Sequence, residues 1–120
     1  MKASEIIKTD AIQRKQDPIK AIGVINALVK NKSAILMQEH NSVLLVTKIG
    51  PTSAEIHLFT QDNPVNLARS VMKFVKKGKA LGITTVYGKA DNPQIVELMK
   101  RIGIQVQASD LPKYNWKAEI

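Results

Sequence analysis

The sequence contains no cysteine, few aromatic residues and no long apolar run. Without cysteine, the chain of 120 residues forms no disulfide, no thiolate metal site and no cysteine nucleophile. Its apolar stretches fall short of the roughly 18 residues that span a bilayer, and the first five residues lack the apolar core of a signal peptide. These absences predict a cytoplasmic protein without membrane contact.

Motifs for several common chemistries are absent as well. The chain has no Gly-x-x-x-x-Gly-Lys, Gly-x-Gly-x-x-Gly or Gly-x-Ser-x-Gly segment, which disfavours P-loop proteins, dinucleotide-binding proteins and serine hydrolases. The two histidines, His40 and His57, stand far apart in the sequence, and without cysteine they predict no metal site. His40 falls in a polar segment between two predicted strands and is interpreted as a solvated turn residue.

The charge is strongly basic, with a formal net charge of +8 at pH 7. This favours anionic partners such as nucleotides, nucleic acids or acidic proteins, although lysines also simply solubilise helix surfaces. Aromatic residues make up 4% of the chain and are not interleaved with the lysines, so stacking platforms for single-stranded nucleic acid are missing. Nucleic-acid binding therefore rests on charge alone.

One central segment predicts a strand, a helix and a second strand. Ala54–Phe59 is rich in strand-forming residues, and Asn63 and Pro64 follow it as a natural N-cap and first helical residue. Apolar residues then recur at helical spacing until Gly82, which predicts the end of the helix. Ile83–Tyr87 predicts a buried strand parallel to the first. Because the first strand leads directly into the N-terminus of the helix, this end of the helix is a favourable place for an anion.

The rest of the chain predicts a mixed α/β sheet around this unit. The predicted segments are a helix with Ile6, Ile7, Ala11 and Ile12 on one face, a helix that begins at Asp17-Pro18, strands at Ala34–Glu39 and Val43–Ile49, a helix capped by Asp91 or Asn92, a strand at Ile104–Gln107 and an edge strand at Tyr114–Ile120. An antiparallel meander thus adjoins a parallel strand pair, with helices on both faces. We expect one domain, residues 1–120, with residues 1–16 as an N-terminal helical extension.

The packing of three further residues can be predicted. Gly23 lies inside the second helix, where glycine costs roughly 1 kcal/mol relative to alanine, so we expect a close contact there. Tyr114 and Trp116 are expected to cover an edge of the sheet, because such amphipathic rings suit partly wet positions.

This order of elements resembles the GNAT-type N-acyltransferase superfamily, most closely the short GNAT-like proteins of tailed bacteriophages. The resemblance covers residues 17–120 and rests on three segments, namely Glu55-Ile56-His57-Leu58-Phe59-Thr60, Ala80-Leu81-Gly82-Ile83, and Asp91-Asn92-Pro93 to Ile102-Gly103-Ile104. It implies a protein that binds acetyl-CoA between the two parallel strands, with the pyrophosphate at the start of the following helix.

The resemblance also implies which residues hold the cofactor. They are Leu58, Phe59 and Thr60 on the strand, Asn66, Leu67, Ala68 and Arg69 in the helix start, and Asn92 beside the pantetheine arm, where it equally suits a cap of the last helix. The family signature places Gln or Arg five residues after a hydrophobic strand residue, Gly eight after it and Gly or Ala ten after it. Counted from Leu58, these positions hold Asn63, Asn66 and Ala68, of which only Ala68 matches.

Glu55 and His57 are the candidate catalytic bases. Both lie on the strand that would face the acyl-transfer site, and imidazole titrates near neutral pH. The alternative for His57 is a histidine on the sheet face that is hydrogen-bonded beneath a helix. The family commonly uses a tyrosine as general acid in the helix where Leu98 and Met99 stand here.

Two classes of function remain open from the sequence. The first is a small phage-type N-acyltransferase that uses acyl-CoA and an amine-bearing acceptor, or a degenerate descendant of one. The second is a non-enzymatic phage protein, either a virion component or a modulator that binds a host protein. A phage protein would be found in the host cytoplasm or in the virion.

Overall fold

The chain forms four helices and six strands within residues 1–89 and 93–120, the part that the computed structural model describes. The helices are α1 (Ala3–Gln13), α2 (Pro18–Lys30), α3 (Pro64–Ala80) and α4 (Pro93–Arg101). The strands are β1 (Ala34–Glu39), β2 (Ser42–Lys48), β3 (Ser53–Thr60), β4 (Thr85–Gly88), β5 (Val106–Ala108) and β6 (Trp116–Glu119).

The strands form one mixed sheet in the order β1-β2-β3-β4-β6-β5. The first three strands make an antiparallel meander, and β4 lies parallel to β3 because α3 carries the chain back across the sheet. These pairings confirm the predicted meander and parallel pair. The prediction of a final edge strand is wrong, since β6 pairs with β4 on one side and with β5 on the other.

Helices cover both faces of the sheet, as predicted. On one face, α1 and α2 pack their buried Ile6, Ile7 and Ile25 against Val43 and Phe59 of the sheet. On the other face α3 and α4 enclose the larger cluster. Its members include Leu44, Leu58, Leu67, Val71, Phe74, Val86, Ile95, Met99 and Ala118. An apolar cavity of about 40 Å³ remains beneath α3 in this cluster.

Helix starts agree with the capping signals in the sequence. The Asp17 carboxylate accepts the N–H groups of Ile19 and Lys20 at 3.0 and 3.3 Å, and thereby begins α2. The Asn63 side chain accepts the N–H of Asn66 at 2.9 Å at the start of α3. Each cap supplies an acceptor to backbone donors that lack a partner within the helix.

All four helices end through one residue in the left-handed region, followed by an N–H that bonds back into the last turn. The left-handed residues are Lys15, Lys32, Gly82 and Gly103, with φ of 58°, 59°, 84° and 89°. After Gly82, the N–H of Ile83 donates to the Gly78 carbonyl at 3.0 Å. This bond keeps Ile83 in the helix end, which is why β4 begins at Thr85 rather than at Ile83 as predicted.

The first helix differs from its predicted face, and the second is buried at one position. Ile12, predicted on the inner face, is 63% exposed, while Asp10 is buried at 5% exposure. In α2 only Ile25 is buried, and it packs in the same cluster as Val43 and Phe59, while Ile19 and Val24 are exposed. The prediction of a close contact at Gly23 is also wrong, since a methyl group added there would meet no atom within 4 Å.

None of the helices in the described part of the chain is both long and apolar enough to cross a membrane.

Candidate functional site

The parallel strands separate midway along β3. They pair only from Ser53–Glu55 to Thr85–Tyr87, after which β4 ends at Gly88 while β3 continues to Thr60. We call the space between them the β3–β4 opening. Its lining consists of Glu55, Ile56, His57 and Leu58 of β3, Gly88 and Lys89, Ile95 of α4 and Trp116 of β6. Its volume of about 20 Å³ is close to that needed by one water molecule.

Trp116 reaches this opening from the neighbouring strand. It lies directly opposite Gly88 in the β4–β6 register, and a Cβ at Gly88 would stand 2.7 Å from the indole Nε1. The residue is 6% exposed, and its Nε1 has no hydrogen-bond partner among the described residues. A buried donor without an acceptor costs about 1–3 kcal/mol, so this N–H is strongly disposed to bind an acceptor.

Glu55 and two tyrosines lie beside the opening, where the ring centroids of Tyr87 and Tyr114 are 5.4 Å apart. The Tyr114 hydroxyl donates to Glu55 Oε2 at 3.0 Å, and burial together with this carboxylate raises the pKa of Tyr114 to about 12. The Tyr87 hydroxyl donates to Asp110 Oδ1 at 3.0 Å, and burial followed by Asp110 raises the pKa of Tyr87. Both hydroxyls are therefore protonated at neutral pH and engaged with carboxylates, and neither is placed as a ready general acid.

His57 shares a face of β3 with Glu55 and Phe59, as the sequence predicts. Its ring centroid lies 4.5 Å from that of Phe59, with an interplanar angle of 48°. Burial raises the pKa of the nearby Asp10 in α1, although the charges of Arg14 and His57 lower it. His57 thus lies beneath α1, which is the alternative position considered for it, and its role as a base stays a prediction.

Asp10 of α1 and the residue that caps its end, Arg14, bind the edge of β3 that faces β4, beyond the opening. Arg14 Nη2 donates to the Leu58 carbonyl at 3.2 Å, and the Thr60 N–H donates to Asp10 Oδ2 at 3.4 Å. Arg14 Nε lies 2.7 Å from Asp10 Oδ1. Even-numbered residues of this strand direct their backbone groups toward β4, as the bond from the Thr84 N–H to the Thr52 carbonyl indicates. The helix therefore contacts backbone groups that an extended ligand would use.

The start of α3 offers fewer donors than the resemblance implies. The N–H groups of Asn66 and Leu67 donate to the Asn63 side chain and carbonyl, each at 2.9 Å. Pro64 has no N–H, so Val65 supplies the one first-turn N–H without a partner in the described chain. A phosphate would compete with Asn63 for these two N–H groups, and the role of Asn66 and Leu67 in cofactor binding stays a prediction. Ala68 and Arg69 lie in the next turn, with Arg69 exposed.

Asp62, just before α3, has a buried carboxylate whose role no pattern in the sequence predicts. Asp62 accepts from Ser42 Oγ at 2.6 Å, from the Asn41 N–H at 3.3 Å, from Ser70 Oγ at 3.4 Å and from His40 Nδ1. Burial disfavours its charge, but the bonds from Ser42, His40 and Asn41 outweigh burial and hold its pKa below the ordinary value. The network ties the β1–β2 turn to α3, so His40 is more than a solvated turn residue.

Leu58 and Phe59 are buried in the two cores, so only their backbone could contact a ligand. Asn92, predicted beside the pantetheine arm, lies outside the described residues, as does the predicted cap of α4. Among residues 1–89 and 93–120 no cluster of three histidine or acidic side chains could hold a metal ion. The structure therefore brings Glu55, His57 and Trp116 to one opening, with Val65 and Arg69 at the helix start.

No protein-family model matches the sequence, and no curated protein is significantly similar to it. Solved structures with the same fold do exist. An acetyltransferase from Streptococcus agalactiae has a TM-score of 0.59 at 12% identity, covering 95% of this chain and 84% of its own. The Campylobacter jejuni N-acetyltransferase PseH, in complex with acetyl coenzyme A, has a TM-score of 0.57 at 16% identity, covering 100% and 92%.

A third structure is yncA from Salmonella typhimurium, described as a putative acetyltransferase with its cofactor acetyl-CoA. Its TM-score is 0.56 at 9% identity, covering 97% of this chain and 83% of its own. At such identities the similarity establishes a shared architecture. The chain has the α/β fold of the GNAT N-acetyltransferases.

Proposed function

We propose that this chain, which has the fold of the GNAT N-acetyltransferases, binds an acyl-CoA at the β3–β4 opening and transfers its acyl group to an amine. The observation that carries the proposal is the position of Glu55. Its carboxylate stands where β3 and β4 separate, and the neutral hydroxyl of Tyr114 orients it from 3.0 Å. A fixed carboxylate beside an opening of this kind is suited to accept a proton from an attacking amine.

The remaining residues would hold the ligand. Trp116 lines the opening, and its buried N–H has no acceptor among the described residues. The Val65 N–H and the Arg69 guanidinium lie at the start of α3, where the helix dipole favours phosphate. The thioester would supply the activated acyl group: its C–S bond would break as the amide C–N bond forms, and CoA would leave as the thiol. Glu55 accepts the amine proton, directly or through water, and His57 is the alternative base on the same face.

Calorimetric titration with acetyl-CoA and free CoA tests binding before an acceptor is known. Activity is then measured as thiol release with a panel of primary amines, and the chain itself contributes no thiol because it has no cysteine. Glu55→Gln should lower turnover at least tenfold while the affinity for acetyl-CoA is retained. Glu5→Gln, at an exposed position on α1, is the matched control and should leave both unchanged. Equal turnover in the two variants would exclude Glu55 as the base.

A second candidate is a non-enzymatic protein that uses this fold as a scaffold. The observation in its favour is that Asn63 caps the N–H groups of Asn66 and Leu67, while Arg14 and Asp10 bind the edge of β3. A ligand would compete with these bonds. If neither acetyl-CoA nor CoA binds, this second function replaces the first. Its partner would be a host or virion protein, and the phage relationship stays a prediction from the sequence, as does nucleic-acid binding.

A further inference from the structure

We infer that the indole N–H of Trp116 is a ligand-binding donor, which hydrogen-bonds one carbonyl oxygen of the acyl-pantetheine arm. The inference rests on the proposed function and adds a residue to it. Three features of the described chain carry it: the lack of a side chain at Gly88, the unpartnered donor, and the size of the opening.

The indole occupies its position because Gly88 has no side chain. Trp116 and Gly88 are partners in the β4–β6 register, and a methyl group at Gly88 would overlap the ring and stand 2.7 Å from Nε1. Any other residue at position 88 would displace the indole. Gly88 does not adopt a positive φ, so turn geometry does not require a glycine there. Space for Trp116 is the physical reason for this glycine.

The polar groups around the indole already have other partners. Glu55 Oε2 accepts from Tyr114, and the Leu58 carbonyl accepts from Arg14. Only Trp116 Nε1 remains as an unpartnered buried donor on the lining of this opening within the described residues. A ligand oxygen placed there would satisfy a buried donor that no described side chain or carbonyl reaches.

The size of the opening restricts what the acceptor is. A volume of about 20 Å³ accommodates one oxygen-sized group, not a phosphate or a sugar. The donor is uncharged, which suits a neutral carbonyl. Two such groups exist on the acyl-pantetheine arm, the thioester carbonyl and an amide carbonyl, and both present a single acceptor oxygen.

Trp116→Phe tests the inference, since it retains an aromatic ring and removes the N–H. We expect the affinity for acetyl-CoA, measured by calorimetry, to fall about 3- to 10-fold. The melting temperature should fall by less than for an ordinary truncation in this core, because an unsatisfied donor disappears with the indole. A loss for acetyl-CoA alone identifies the thioester carbonyl, and an equal loss for free CoA identifies the amide. Tyr87→Phe, which removes a hydroxyl bonded to Asp110, is the control and should leave affinity unchanged.

Fluorescence gives an independent readout, because Trp116 is the single tryptophan of the chain. Acetyl-CoA should change its emission on titration into the wild type. Gly88→Ala should displace the indole, alter the emission of the free protein and weaken binding more than tenfold. Wild-type binding with unchanged affinity in Trp116→Phe would overturn this inference and leave the proposed function intact. No binding by the wild type would overturn both.

Discussion

Gly78→Ala is expected to stabilise the protein, although Gly78 is buried on the packed face of α3. The residue lies inside α3 and lines the apolar cavity of about 40 Å³. A new Cβ would meet one atom, Ile120 Cδ1, at 3.4 Å. Replacing a helical glycine gains about 1 kcal/mol, and burying one methyl group gains about 0.8 kcal/mol. The sum is about 1.8 kcal/mol if the end of the Ile120 side chain shifts slightly.

The expected change in melting temperature follows from the size of the chain. An unfolding entropy of about 2.1 cal/mol/K per residue gives roughly 250 cal/mol/K for 120 residues. The gain then corresponds to an increase of about 7 °C in the melting temperature. Gly23→Ala has open space around it, so it should yield only the helix-propensity part, about 4 °C. Gly82→Ala, at φ of 84°, should instead lose about 1 kcal/mol.

Thermal and urea unfolding of the three variants, followed by circular dichroism, separate these contributions. The difference between Gly78→Ala and Gly23→Ala measures what the methyl group gains in the cavity. The reasoning about the cavity would be refuted if Gly78→Ala were no more stable than Gly23→Ala. It would also be refuted if Gly78→Ala unfolded at a lower urea concentration than the wild type.

Three further predictions concern stability and are measured in the same unfolding assays. Phe74→Ala should lower the free energy of unfolding by about 3–5 kcal/mol because Phe74 packs in the central cluster. Lys76→Ala, at an exposed position, should change it by less than about 0.5 kcal/mol, and equal losses would show that the buried face of α3 is assigned wrongly. Lys32→Gly should gain about 1 kcal/mol, since Lys32 ends α2 with φ of 59°, and a loss would contradict that geometry. Asp62→Asn should destabilise the protein at pH 7, because the lowered pKa of Asp62 means that its charged form stabilises the fold. The difference in free energy of unfolding between wild type and variant should shrink as the pH falls below 3.8, and a difference independent of pH would exclude the charge as the cause.

Local signals in the sequence predict most of the fold. Asp17 and Asn63 mark helix starts because capping depends on a residue and its immediate neighbours, and Gly82 marks a helix end for the same reason. The meander follows from short connections between strands. The exposure of Ile12 is not predicted, since the neighbouring Asp10 is buried instead and binds Arg14 and the Thr60 N–H, and the contact with Thr60 forms only after the chain has folded.

The candidate site is harder to predict from local sequence signals than the fold is. The position of Glu55 on β3 follows from strand alternation, but its bond to Tyr114 joins residues far apart in the sequence. The sequence predicts Trp116 at a sheet edge because no local feature shows that β5 will pair outside β6. It also predicts Asn63 as a cap and the Asn66 N–H as a phosphate donor, although the cap uses that same N–H. The two predictions conflict because one N–H cannot donate fully to both the Asn63 side chain and a phosphate.

The position of β6 has a consequence for how the chain acquires its structure during synthesis. The meander of β1 to β3 is joined by short turns and can form from local contacts as soon as it has been made. The other half of the sheet cannot, because β6 is the last strand in sequence and the common neighbour of β4 and β5. Until residues 116–119 are available, β4 has a free edge, β5 has no partner, and the chain presents unpaired strands to other molecules.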